Sequence, residues 1–246
     1  MGDIKQLLDS LVQKYETKDF IKDDPIQFPH RYTNREDIEI SAFLASLFAF
    51  GQRSVFISKL NTLFSHMGKS PHEYILKGDF NLNGLNYRFF KPEDIEGFLT
   101  VLHQLYLKDG GLSDLFKKAY KSGNLMQYVC DYFYSHAPKT AGTGFYFGIP
   151  NPAKGGAMKR MWMFLRWMVR KSPVDFGIWN FIPINELKIP LDTHVARISR
   201  ELGLIKRNAN DAKTVNELSV VLSEFCPDDP VKYDFALFGY GINNKD

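Results

Sequence analysis

The chain of 246 residues has little cysteine: Cys130 and Cys226 are the whole supply, and they form no CxxC pair. A structural zinc site or a four-thiolate iron–sulfur cluster needs more sulfur than this, so neither is expected, and no other metal centre is read from the sequence. Long hydrophobic runs are missing as well. The longest, such as Ala42 to Gly51, fall far short of the ~20 apolar residues that cross a bilayer. The N-terminus carries no signal-peptide pattern, so a soluble, cytoplasmic protein without a membrane partner is the expectation. Internal repeats, low-complexity tracts and β-alternation are absent too, which argues against solenoids and sheet proteins. One further absence is local. Between Asp131 and Asp175 there is no acidic residue, whereas the interval holds Lys139, Lys154, Lys159, Arg160, Arg166, Arg170 and Lys171. A net charge of +3 says little about nucleic acid, and this clustering of cations is the pattern of either a solvated face or a phosphate-binding one.

What is present reads as helix nearly throughout. Hydrophobic residues make up 44% of the chain, enough for one large domain or two small lobes sharing a cleft. Ile4 to Tyr15 carries Leu7, Leu8, Leu11 and Val12 at helical spacing, and Ile38 to Phe50 and Val55 to Phe64 follow around Gly51-Gln52-Arg53-Ser54. Pro92-Glu93-Asp94 has the proline and acidic residues of a first helical turn and introduces Ile95 to Leu107. Leu112 to Tyr120 and Leu125 to Ser135 continue the pattern, and Pro138 to Gly156, rich in Gly and Pro, reads as the longest loop. Helices are then expected over Met158 to Lys171, Thr193 to Leu202, Ala212 to Phe225 and Val231 to Phe238. An all-α protein follows.

Two polar residues stand out against this background. Lys159 opens a helix directly behind a Gly155-Gly156 turn, and a helical wheel places it with Met163, Arg166 and Arg170 on a stripe opposite Met158, Met161, Trp162, Leu165, Met168 and Val169. At the positive end of a helix dipole an additional cation is disfavoured relative to the free amine, the form that attacks carbon. Asp192 lies in Ile189-Pro190-Leu191-Asp192-Thr193-His194-Val195, where it has the position of an N-cap. A carboxylate held there by backbone N–H groups stays ionised, which suits a reaction that develops positive charge at a nearby carbon.

The pairing resembles the active site of the helix-hairpin-helix DNA glycosylases, in which a lysine after a glycine hairpin attacks the sugar and an aspartate in a P-x-D-T-H segment assists. Phe43-Leu44-Ala45-Ser46-Leu47-Phe48-Ala49-Phe50-Gly51-Gln52, followed by Arg53 to Lys59, resembles the family's N-terminal element. The likeness runs from about Ile38 to Gly241. The 33-residue step from Lys159 to Asp192 is longer than in endonuclease III-like members and is similar to that of the archaeal 8-oxoguanine glycosylases. The hairpin departs from the family in reading Gly155-Gly156-Ala157-Met158-Lys159 without the usual G-x-G step, which leaves open the phosphate-binding geometry and the monovalent cation sometimes held there. The chain also resembles a set of bacterial proteins to which no function is assigned.

The resemblance implies a bifunctional N-glycosylase and AP lyase acting on double-stranded DNA that contains an oxidised purine, 8-oxoguanine above all. It makes Lys159 and Asp192 catalytic, and it gives Gln52, Met163, Asp234 and Phe238 to base recognition. Gly155, Gly156, Arg160, Arg166, Arg170 and Lys171 are expected on the DNA. No cofactor is implied, and a monomer is expected. The implied architecture is a single glycosylase-like unit with two lobes, lobe A being residues 38–170 and lobe B residues 1–37 with 171–246. Two other functions are compatible with the same residues: a non-catalytic DNA-binding protein of this fold, and a relative that acts on RNA or a nucleoside.

Overall fold

The computed structural model describes residues 2–244, so residues 1, 245 and 246 of the expected lobes lie outside the described residues. Its helices are α1 (Gly2–Tyr15), α2 (Arg35–Phe48), α3 (Arg53–Met67), α4 (Pro71–Lys77), α5 (Pro92–Lys108), α6 (Leu112–Lys121), α7 (Leu125–Ser135), α8 (Thr143–Gly148), α9 (Lys159–Val169), α10 (Thr193–Glu201), α11 (Ala212–Phe225) and α12 (Tyr233–Asn243), joined by loops and short 3-10 turns. No strand occurs among the described residues, only the isolated bridges Tyr87 with Phe90, Gly156 with Asp211 and Lys171 with Phe176. The protein is all-α. None of the described helices is long and apolar enough to cross a membrane.

The chain divides into two compact units. The first takes both terminal segments, residues 2–24 and 154–244, and therefore holds α1 and α9 to α12. Its core gathers Leu8 and Leu11 of α1, Val195 and Ile198 of α10, Leu218 and Leu222 of α11, and Tyr233 and Leu237 of α12. α12 packs on both α1 and α10, and two glycines permit it. A Cβ on Gly239 would run into the Tyr15 ring, and one on Gly241 would come within 3.0 Å of His194 Cβ and 3.1 Å of Ile198 Cγ1. A buried Tyr233 completes the seam by donating its hydroxyl to Asp9 Oδ1 at 2.9 Å.

The second unit is Pro25–Ala153 and is built around α2, whose residues from Asp37 to Phe48 are all buried. A helix apolar on every side needs neighbours on every side. Two buried carboxylates in this unit serve as caps for other segments. Asp37 Oδ1 accepts from Ser70 Oγ and from His72 N, both at 2.8 Å, and so holds the start of α4. Asp94 Oδ1 accepts from Gly142 N at 2.8 Å and Phe145 N at 3.0 Å, fixing α8 against α5.

The unit boundaries differ from the expected lobes. Residues 25–37 belong with α2 to α8, and residues 154–170 belong with the terminal segments. The second shift has a clear cause: Arg166 of α9 and Arg170, which ends it, are ion-paired to Asp234, Glu16 and Asp229 of the terminal segments.

Candidate active site

The approach to α9 is set by backbone conformation. Gly155 has φ +74, a region that costs glycine nothing, and its carbonyl accepts from Ala212 N at 2.9 Å. Met158 takes the left-handed conformation at φ 51, rare for a residue with a long side chain, and its carbonyl accepts the first helical N–H groups, Met161 N at 3.0 Å and Trp162 N at 3.1 Å. The helix thus begins at Lys159, with Gly155 and Gly156 exposed before it.

Asp192 is positioned from the other side. Ile189 N is held by Ser219 Oγ at 3.1 Å, Pro190 and Leu191 are buried, and the chain turns into α10 with Asp192 as N-cap. Its Oδ1 accepts from Val195 N at 2.8 Å. Its Oδ2 stands 3.9 Å from Lys159 Nζ, with side-chain exposures of 12% for the aspartate and 33% for the lysine. The cap on Oδ1 fixes the carboxylate rotamer and so orients Oδ2, the oxygen that faces the amine.

Asp234 and Phe238 lie one turn apart on α12. Asp234 is buried, and its Oδ2 accepts from Arg166 Nη1. Burial pushes its carboxyl up to about 7 against the pull of Arg166, and the negative charge of Asp192 pushes it further while Lys159 opposes. Lys159, Asp192 and Asp234 therefore share one electrostatic neighbourhood. Phe238 is half-buried, with its ring edge-on to His194 at 6.0 Å and to Phe20 at 6.2 Å. Met163, one turn beyond Lys159, is buried, and Arg160 is half-exposed.

Two expected DNA contacts are overturned. Arg166 and Arg170 are 3% and 4% exposed, too deep for phosphates. Arg166 is paired with Asp175 at 3.3 Å and with Asp234, while Arg170 binds Asp175 at 3.0 Å, Asp229 at 2.8 Å and Glu16. The stripe opposite the apolar face of α9 is thus a buried ionic seam. A guanidinium that must be desolvated persists only where carboxylates replace its water, and here several do. Burial also raises the Asp175 carboxyl, against the pull of both arginines. Lys171, by contrast, is exposed.

Gln52 belongs to the other unit, where it is exposed and precedes α3, its carbonyl accepting from Val55 N at 3.1 Å and Phe56 N at 3.2 Å. It follows Gly51, at φ +79, and a cluster in which Phe50, Phe89 and Phe147 lie with ring centroids 4.8 to 6.4 Å apart. No group of three or more His, Cys, Asp or Glu among the described residues is arranged to hold a metal ion.

Sequence reasoning did not anticipate Glu16, Asp175 and Asp229 as partners of α9. One signal was available: Arg166 and Arg170, four apart on one helix face, have no acidic residue within α9 to pair with. Their partners had to come from elsewhere in the chain. Neither the curated proteins nor the solved structures include a match to this chain. A family model described as a protein of unknown function, DUF2400, matches residues 24–243, and the chain belongs to that family.

Proposed function

We propose that this protein is a DNA repair glycosylase with associated AP lyase activity, of the two-lobed helix-hairpin-helix type, which excises an oxidised purine through a Schiff base on Lys159. The observation that carries the reading is the placement of Lys159 Nζ 3.9 Å from Asp192 Oδ2, with the other carboxylate oxygen locked by Val195 N. As a structural ion pair this contact contributes little, because partly exposed pairs are worth about 0–1 kcal/mol. As chemistry it supplies a nucleophile beside a fixed negative charge.

In this mechanism the damaged nucleotide leaves the stack and its C1′ comes to the amine. The Lys159 lone pair forms the new bond to C1′, and the bond from C1′ to the base breaks with its electron pair departing on the base. Asp192 stabilises the positive charge that develops on the sugar before the new bond is complete. The C1′–O4′ bond then breaks with its electron pair on O4′, which takes a proton released from the lysine nitrogen, and the opened sugar is the Schiff base; loss of a C2′ proton then expels the 3′ phosphate. Exposed Gly155 and Gly156 and half-exposed Arg160 at the start of α9, with exposed Lys171 beyond its far end, are left as the phosphate-facing set. Gln52, Met163, Asp234 and Phe238 are assigned to the extruded base, with 8-oxoguanine as the preferred lesion.

Single-turnover cleavage of duplexes carrying 8-oxoguanine, uracil, thymine glycol or an alkylated adenine tests the reading. Excision of 8-oxoguanine is expected. Excision of another lesion alone would overturn the base assignment and leave the lysine chemistry standing, and excision of none would overturn the glycosylase reading.

A further inference from the structure

The ionic seam beneath the site holds more carboxylates than cations. Two guanidiniums, Arg166 and Arg170, are shared among Glu16, Asp175, Asp229 and Asp234. The adjacent pair of Lys159 and Asp192 adds no net charge. Ionised throughout, the seam would keep uncompensated negative charge in a buried place, and protonating one carboxyl is the cheapest relief.

The hydrogen bonds decide which one. Both oxygens of Asp175 are bound by guanidinium N–H groups, Oδ1 at 3.3 Å and Oδ2 at 3.0 Å. Arg170 binds both oxygens of Glu16 and, through Nε, both oxygens of Asp229 at 2.9 and 2.8 Å. Asp234 differs from all three: Arg166 takes its Oδ2, and Oδ1 makes no hydrogen bond among the described residues. Its charged neighbours are Arg166 and Lys159 of α9, Asp175 after α9 and Asp192 at the start of α10. Of these, the two carboxylates favour a proton on Asp234.

We propose that Asp234 meets the extruded base as a neutral carboxylic acid whose Oδ2 is held by Arg166 and whose Oδ1–H donates to an acceptor atom of the base. This rests on the glycosylase reading and adds a specificity to it. Oδ1 then selects a carbonyl oxygen or an unprotonated ring nitrogen and opposes an N–H at the same place, since two donors face to face leave both unsatisfied. Arg166 is a positioning residue that reserves the proton for Oδ1. Ionisation of Asp234 turns the donor into an acceptor and reverses the preference.

The Asp234→Asn variant isolates this chemistry. Arg166 can only donate, so it orients the amide with its oxygen in place of Oδ2 and its NH2 in place of Oδ1, a donor at every pH. The ratio of wild-type to variant single-turnover excision cancels every titration that the two proteins share. That ratio is expected to fall about tenfold or more between pH 6 and pH 8.5, following the protonated fraction of a carboxyl that titrates near 7. In protein labelled with 13C at aspartate carboxyl carbons, the resonance missing from the variant should titrate in the same range. A ratio that rises with pH, or a resonance that titrates below 5, overturns the protonated donor and leaves the glycosylase reading intact. Absence of excision by wild type at every pH overturns that parent reading, and the assignment of Asp234 to a base with it.

Discussion

Asp192 divides its carboxylate between two elements, Oδ1 capping α10 through Val195 N at 2.8 Å and Oδ2 facing Lys159 Nζ at 3.9 Å. The division makes the structural and chemical duties of one side chain separable. Asn caps a helix about as well as Asp, so Asp192→Asn should keep stability within about 1 kcal/mol of wild type. It removes the negative charge beside the amine, however, and turnover should fall by about 10²-fold or more. Asp192→Ala should lose the cap as well, at a cost of about 1 kcal/mol. Thermal melts and single-turnover rates on the same preparations check both halves, and equal rates for wild type and Asp192→Asn would remove Asp192 from the chemistry.

The buried seam gives a second prediction. Arg166→Met leaves Asp175 and Asp234 without a guanidinium they share, and breaking such a buried arrangement costs about 3–5 kcal/mol. Chemical denaturation measures this directly. A loss below about 1 kcal/mol would mean that Asp175, like Asp234, is already neutral, or that it reaches water.

DNA binding separates the cations of the region. Lys171 is exposed, so Lys171→Gln should lower the log–log salt slope of duplex affinity by about 0.9. Arg170 is only 4% exposed, and neutralising it should change stability and leave the slope as it is. A slope reduced by both variants would require the seam to open on binding.

The raised carboxyl of Asp234 links stability to pH. Its ordinary value is 3.8 and its folded value about 7, so the unfolded chain ionises it first. The stability supplied by the protonated form is fully present below about pH 4 and is lost as pH rises through 7, up to about 4 kcal/mol for a shift of this size. Asp234→Asn cannot ionise, so its melting temperature relative to wild type should climb between pH 4 and pH 8. A constant difference across that range would show that Asp234 titrates alike in the folded and unfolded chains.

Local signals made much of the helical map legible. Leu125 to Ser135 and Ala212 to Phe225 are the bounds of α7 and α11 as read from periodicity, because an apolar stripe bounded by polar residues specifies a helix without help from the rest of the fold. α4 passed unread although Ser70-Pro71-His72-Glu73 carries its start signals, an N-cap serine whose Oγ accepts from Glu73 N at 3.1 Å and a proline in the first turn. α8 had no such signal, being six residues long and held largely by Asp94 from a distant helix. The site divides in the same way. Lys159 and Asp192 were legible because a helix start and an N-cap are local, whereas the burial of Arg166 depends on Asp234 and that of Arg170 on Glu16 and Asp229, all far away in sequence. A helical wheel assigns a face and cannot say what covers it.

Covalent bonding of Lys159 to the sugar is tested most directly by borohydride trapping on a duplex carrying 8-oxoguanine. Wild-type protein is expected to give a stable adduct that runs as one shifted band on a denaturing gel. Lys159→Gln, which keeps a polar side chain and loses the amine, is expected to bind the same duplex and give no adduct. Undiminished trapping in Lys159→Gln would assign the chemistry to another amine, and absence of an adduct in both proteins despite binding would contradict the Schiff-base mechanism.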